Sequence, residues 1–541
     1  MPSDAAIRLA DRDIFNSLQA IHEWGRGWSK RRGQRRGKIS SMHEHGLPHG
    51  SPVGEGFLRV TRVNAPHFVD DAGAALAYLV RETERAEHVR CRYAMWLDSA
   101  SAGIAGGAPS RWSVFGLPTE VLRYDDAGRR TPRVEVLSMD GSHRETCTGT
   151  ILDVLDRRLA APDQSPRLKS SESVPEEVRD VAGAWFGYLG YEVAEDLEGA
   201  APYTADTPDA VWMRSERLVM VDHHSGQSWV VGDRDWIDRV HRAAEVWEPP
   251  VDVAIPKLPL PDRGNYLRAV EESLEEIRQG NSYEVCLTAE SRGIIDMTWG
   301  FPEVLGVYRG QRRGNPAPHA AFLWCDDVAI LSSSPERFLS VNDQGWCEAK
   351  PIKGTVRRCP DPAEDARAAE WLAHDPKSRA ENLMIVDLMR NDFSMVCDPA
   401  SVHVPVLMGI ESYSTVHQLV STVRGRLAEG RTVIDMLRAA FPGGSMTGAP
   451  KPRTLEIIQR LERRARGVYS GALGVLGRRR SDMSIVIRTA VLTPGADGQS
   501  TEISVSAGGA VVADSDPAAE YEEMLTKLEA PLRRIAQLED G

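Results

Sequence analysis

The sequence predicts an α/β protein, and three observations carry the prediction. From about Gly56 short apolar runs alternate with amphipathic helical stretches. "NYLRAVEESLEEIRQG" puts Leu267, Val270, Leu274 and Ile277 at helical spacing, stops at Gly280 and runs straight into the strand-like "SYEVCLT". "VAIL", "SIVIRTAV" and "SAGGAVV" read as core strands, the last with glycines that allow close backbone approach. With 541 residues, 42% of them hydrophobic, the chain can bury a large core in one domain or in two to four.

Taken in order, residues 1–55 stand apart. "KRRGQRRGK" carries six cations without an acid, and glycine, proline and histidine follow, so a disordered, solvated tail is expected. A nucleic-acid arm or a metal site at His43, His45 and His49 are the functional alternatives. Residues 56–250 form a first region. Five prolines between Pro249 and Pro261 mark the internal boundary, and a second region covers 262–537. No repeat of 20 to 50 residues is present. The net charge of -13 argues against nucleic-acid binding by the whole surface and points to a small-molecule ligand. Seven widely spaced cysteines with no CxxC pair, no run of eighteen apolar residues and no secretory block predict a cytoplasmic protein.

Several stretches could carry chemistry. In "VVADSDPAAEYEEMLTKLEAPL" a helix starts at Asp514 to Pro517, with an apolar stripe at Tyr521, Met524, Leu525 and Leu528. Glu520, Glu523 and Lys527 share an adjacent face. They read either as a surface helix pair, worth about 0.3–0.5 kcal/mol, or as part of a site. Glu381 lies in "KSRAENLMIVDLMRND", a largely buried helix. If it met the other glutamates, the set could hold Mg²⁺, which takes carboxylates and waters. "FPGGSMTGAPKPRTLEIIQRLE" runs from glycines into a helix, so its N–H groups could face a carboxylate, or the glycines serve only a tight turn. Pro335 and Glu336 follow a buried strand and suggest a turn or short capped helix. Arg488, a lone cation in an apolar strand, needs an anion from the protein or from a ligand.

In this order "SSSPERF", "PIKGT", "ENLMIVDLMRND", "VHQLVST", "FPGGSMTGAP", "SIVIRT", "SAGG" and "EYEE" resemble the chorismate-utilising enzymes over roughly 265–535, and "MWLDSA" and "FGYLGYE" extend the resemblance upstream. The resemblance implies two large, mainly antiparallel sheets packed as a sandwich with helices outside, and a site between the halves that takes chorismate and Mg²⁺. It implies that Glu381 and Glu523, with Glu520 beside them, hold the metal. Lys527, Gly508 and Gly509 would contact a carboxylate, and Arg488 and Tyr469 the enolpyruvyl group. Thr447 and Gly448 would line the glycine loop, and His417 matches an active-site histidine.

Lys353 in "PIKGT" stands where anthranilate and isochorismate synthases usually carry alanine, and lysine there marks the branch that aminates C4 of chorismate. In that branch the amine attacks C2 as the C4 hydroxyl leaves, and ammonia then adds at C4. A nucleophilic amine must be neutral, so burial beside other cations is expected to lower the lysine pKa. Glu336 would protonate the leaving hydroxide if its surroundings keep it protonated near neutral pH. Glu284 stands where the water-attacking branches carry lysine, and Ser378 where the salicylate branch carries glutamate. None of the seven cysteines sits in a glycine-rich elbow, so the resemblance implies ammonia from a separate glutamine amidotransferase subunit. "MWLDSA" lies where related enzymes bind tryptophan, which puts a possible tryptophan pocket near Asp98 and Ser99.

Overall fold

A computed structural model describes residues 57–99, 111–161, 167–170, 172–198, 203–251, 253, 255–413 and 416–537. The basic stretch and His43, His45 and His49 lie outside the described residues.

Among the described residues two twelve-stranded sheets organise the fold. The first runs from an edge at Gly448–Ala449 through Glu284–Ile295, Thr501–Val511, Thr489–Pro494, Val328–Ser334 and His319–Cys325. It then crosses to Tyr93–Asp98, Trp112–Leu117, Arg217–Asp222, Gln227–Gly232, Leu58–Val63 and Leu168–Lys169. The second runs from Ile352–Arg357 through Val416–Arg426, Trp346–Ala349, Arg337–Val341, Ser481–Ile485 and Ala472–Leu476. It continues to Trp185–Leu189, Ala210–Arg214, Glu120–Tyr124, Arg133–Leu137 and His143–Thr148, while His403–Ser412 pairs separately with Val416–Arg426. Among the described residues pairing is antiparallel except between Leu58–Val63 and Leu168–Lys169. Each sheet therefore draws strands from both sides of the proline-rich stretch.

Strand Val328–Ser334 shows why the central strands lack polar alternation. Val328 and Ile330 enter a core shared with Phe186, Met213 and Leu473 of the other sheet. Ala329 and Leu331 point the other way, into a core with Leu76 and Val304 from the helices Gly73–Glu87 and Phe301–Gly314. Side chains alternate by face, but both faces are dry, so the run reads as continuously apolar. The helices Ile151–Ala160, Pro376–Ser394 and Val433–Ala440 cover the second sheet in the same way. The layers are thus helices, sheet, sheet, helices, as expected of this fold class.

The helix predicted before "SYEVCLT" spans Arg263–Arg278 with Asp262 as its N-cap, and the C-terminal helix spans Pro517–Glu529 with Asp516 capping it. "SIVIRTAV" is not one strand. Ser481–Ile485 belongs to the second sheet and Thr489–Pro494 to the first, and Arg488, at φ +54°, lies in the crossing between them. A lone cation in an apolar run marks a change of sheet here. Likewise Pro335 and Glu336 form no helix but join Val328–Ser334 of one sheet to Arg337–Val341 of the other. Among the described residues no helix is long and apolar enough to cross a membrane, and all seven cysteines are free.

Candidate active site

Lys353 sits on a bulge. Its strand, Ile352–Arg357, pairs Ile352 with Val420 and Thr355 with Gln418, so Lys353 and Gly354 together face the single residue Leu419. Gly354 has φ +82°, and a Cβ there would meet Ser378 Oγ at 2.5 Å, so glycine is what lets the strand turn against the Pro376–Ser394 helix. The bulge aims the ammonium across to the first sheet, where Lys353 Nζ donates to Glu284 Oε1 at 2.7 Å. Both are buried, at 9% and 0% exposure, and Glu284 Oε2 has no partner among the described residues. The neighbouring edge strand also depends on a glycine. Gly448 has φ +137°, and any Cβ would lie 1.8 Å from the Glu284 carbonyl oxygen. The buried Thr447 accepts from the Cys286 N–H at 2.8 Å in the same corner.

The electrostatics of Lys353 differ from the expectation. Burial pulls the amine toward its neutral form, but Glu284 and then Glu381 outweigh it and hold Lys353 above the ordinary lysine range. Its immediate partner is a carboxylate rather than a cation, so in this state the amine is protonated. At Glu336 burial prevails. Burial pushes its carboxyl up to about 7, against the pull of the Ser445 hydroxyl and the Lys353 ammonium, and Oε1 has no hydrogen-bond partner among the described residues.

Glu381, Glu520 and Glu523 each stand within reach of one residue the sequence reading passed over, Lys377, rather than of one another. Lys377 Nζ lies 3.0 Å from Glu520 Oε1, 3.8 Å from Glu381 Oε1 and 3.9 Å from Glu523 Oε2. Ser515 also donates to Glu520 Oε1 at 2.7 Å, while Oε2, fully buried against Gly509, has no partner among the described residues. Burial raises Glu381, with Lys353 opposing. Glu523 is different. Desolvation, which would raise it, is outweighed by Lys527 at 2.7 Å, and it sits below the ordinary range. Lys527 Nζ also donates to the Gly508 carbonyl at 3.0 Å. Among the described residues no three acidic or histidine side chains stand close enough to chelate an ion, because these are spread around the Lys377 ammonium. Their chemistry nevertheless fits Mg²⁺: oxygen donors from two helices, one of them a buried oxygen with no other partner.

Arg488 donates to the Lys527 carbonyl at 3.0 Å and pairs with no carboxylate among the described residues. Burial lowers its pKa while the nearby buried Tyr469 opposes the shift. His417 is turned to other partners: Nε2 lies 3.0 Å from Asp365 Oδ1 and Nδ1 2.7 Å from Ser412 Oγ. Ser378 is the third residue of its helix, hydrogen-bonded to the N-cap Asp375. Lys451 of the glycine loop does not face an anion site, being buried against Asp392 at 3.0 Å and the Ala440 carbonyl at 2.9 Å. Asp98 and Ser99 line a separate cavity of about 330 Å³ between the sheets, together with Phe186 and Leu473. The Asp98 carboxylate is already engaged by Arg312 and, at 3.2 Å, by Ser113.

The site thus combines a buried amine, a carboxylic acid poised near 7, and three carboxylates around one ammonium, with a half-buried arginine nearby that pairs with no carboxylate among the described residues. Residues 123–533 match the family described as chorismate binding enzyme. The chain is 41% identical over 529 residues to the aminodeoxychorismate synthase of Streptomyces pristinaespiralis, which covers 91% of this chain and 67% of that one. It is 49% identical over 427 residues to aminodeoxychorismate synthase component 1 of Salmonella typhimurium, covering 76% and 88%. The chain spans about half the length of three further curated relatives with 46%, 51% and 50% covered. Anthranilate synthase component I from Streptococcus pneumoniae superimposes with a TM-score of 0.64 at 26% identity, covering 79% of this chain and 93% of that one. The chain belongs to the chorismate-binding enzymes.

Proposed function

We propose that this chain replaces the C4 hydroxyl of chorismate by an amino group, giving 4-amino-4-deoxychorismate, as the names of its relatives suggest. The observation that carries the reading is the buried Lys353, aimed by a bulge at Glu284, with Glu336 held near neutrality close by. Lys353 Nζ forms a bond to C2, the two ring double bonds shift, and the C4–O bond breaks. Glu336 hands its proton to the departing hydroxide, which leaves as water. Ammonia then adds at C4, the double bonds shift back and the lysine amine departs. Lys353 must shed a proton before attack, and Glu284 is the carboxylate within hydrogen-bond reach.

Glu381, Glu520 and Glu523 would hold Mg²⁺, and Lys527, Gly508 and Gly509 would stand beside it. Bound there, Mg²⁺ supplies positive charge for the ring carboxylate. Arg488 and Tyr469 would receive the enolpyruvyl carboxylate, which is consistent with a half-buried guanidinium that pairs with no carboxylate among the described residues. Thr447, Gly448 and His417 complete the proposed lining. A separate glutamine amidotransferase would deliver the ammonia. Free cysteines throughout agree with a cytoplasmic setting. A tryptophan in the cavity at Asp98 and Ser99 would have its ammonium share Asp98 with Arg312.

Lys353→Ala tests the reading. With chorismate, Mg²⁺ and ammonium, the variant is expected to keep its circular dichroism and lose C4 amination, and undiminished product would remove Lys353 from the chemistry. Glu523→Gln is expected to raise the Mg²⁺ concentration needed for half-maximal rate, and an unaltered titration would remove Glu523 from the metal.

A further inference from the structure

Lys377 is the second residue of the Pro376–Ser394 helix, whose first turn contains no acid. A cation there opposes the helix dipole, which favours negative charge at the N-terminus. Its pairing with Glu381 runs lysine first and glutamate four residues later, the less favourable order on a helix. Local helix energetics therefore give no reason for this lysine. What holds it is tertiary: one ammonium within 3.0 to 3.9 Å of three carboxylates drawn from two helices. Its side chain is 48% exposed, so the four-carbon stem has an open route to solvent.

We propose that Lys377 is a built-in stand-in for the divalent cation, its ammonium occupying the space among Glu381, Glu520 and Glu523 until a metal displaces it. The inference rests on the metal assignment above and adds a competitor to it. Without the ammonium, three carboxylates, one of them fully buried, would repel one another across the gap between the helices. With it, the two helices stay in register and the site stays closed to weakly held monovalent ions. A divalent ion brings more charge to the same oxygens and swings the lysine out, so the apparent metal affinity is reduced by the strength of the ion pairs that must be broken.

Calorimetric titration of the full chain with Mn²⁺, in the absence of chorismate, reads this directly. Lys377→Met keeps the stem and removes the charge, and it is expected to bind Mn²⁺ roughly tenfold more tightly than the parent chain, the scale of a few partly exposed ion pairs. Lys377→Arg is expected to stay close to the parent. In metal-free buffer Lys377→Met should melt at a lower temperature than the parent, and saturating Mg²⁺ should raise its melting point by more than it raises the parent's. Equal or weaker Mn²⁺ binding by Lys377→Met would overturn the proposal while leaving the metal assignment in place. No binding by any of the three proteins would overturn the metal assignment and the proposal together.

Discussion

Lys353 and Glu336 share a dry site and respond to it in opposite ways. Burial favours the neutral form of each, but Glu284 keeps Lys353 charged, whereas nothing of comparable strength acts on Glu336, which rises to about 7. The sign of the pH dependence follows. Glu336 is protonated below about 7, so its contribution as an acid is present at low pH and lost as pH rises through that value. Measured at fixed free ammonia, kcat/KM is expected to fall above about pH 7, and Glu336→Gln should remove that limb and lower the rate by roughly 10²- to 10⁴-fold. A second prediction concerns the ion pair. Glu284→Leu strands a buried ammonium and should destabilise the chain by about 3 kcal/mol in denaturant unfolding, with Lys353→Met in the same chain recovering part of the loss. A single substitution with no effect would mean that the pair is solvated. "PIKGT" made the lysine legible, but its partner lies 69 residues away on the other sheet, and only the meeting of the two sheets discloses it. Lys377 was harder still. Its signal was a cation in a helix's first turn, which reads locally as a mild misfit rather than as a site.

At the level of elements, two glycines decide whether the reactive groups meet. The bulge at Lys353 and Gly354 re-aims the amine, and Gly448 lets the loop strand Gly448–Ala449 pair with the start of Glu284–Ile295. Gly448→Ala should therefore abolish activity and lower the melting temperature. Its Cβ would have to sit 1.8 Å from a backbone oxygen, and backbone cannot yield as a flexible side chain can. An active, equally stable Gly448→Ala chain would refute the packing account of that corner. Helices were readable from sequence, as the spacing of Leu267, Val270, Leu274 and Ile277 and the start between Asp514 and Pro517 show. Changes of sheet were not. "SIVIRTAV" and "SSSPERF" each carry the chain from one sheet to the other. The strands on either side of each crossing are apolar on both faces, so the short polar interruption between them, Arg488 in one and Pro335 and Glu336 in the other, reads as a turn or a buried charge rather than as a change of sheet.

For the whole molecule, strand order matters more than the proline-rich stretch. Strands Tyr93–Asp98 and His319–Cys325 are neighbours in one sheet, and Trp185–Leu189 and Ala472–Leu476 in the other. Residues 56–250 and 262–537 expressed separately should thus fail to give cooperative melting, whereas the two co-expressed should reassemble; an independently folded 262–537 fragment would contradict this. The sandwich brings the ends of both sheets to one place, and there Lys353 and Glu284 meet. Mass spectrometry of the product formed from chorismate, Mg²⁺ and ammonium at mildly alkaline pH shows where the amino group goes. Amination at C4 gives a product that retains the enolpyruvyl group and releases p-aminobenzoate only when a lyase is added. Anthranilate, with pyruvate released, would contradict amination at C4.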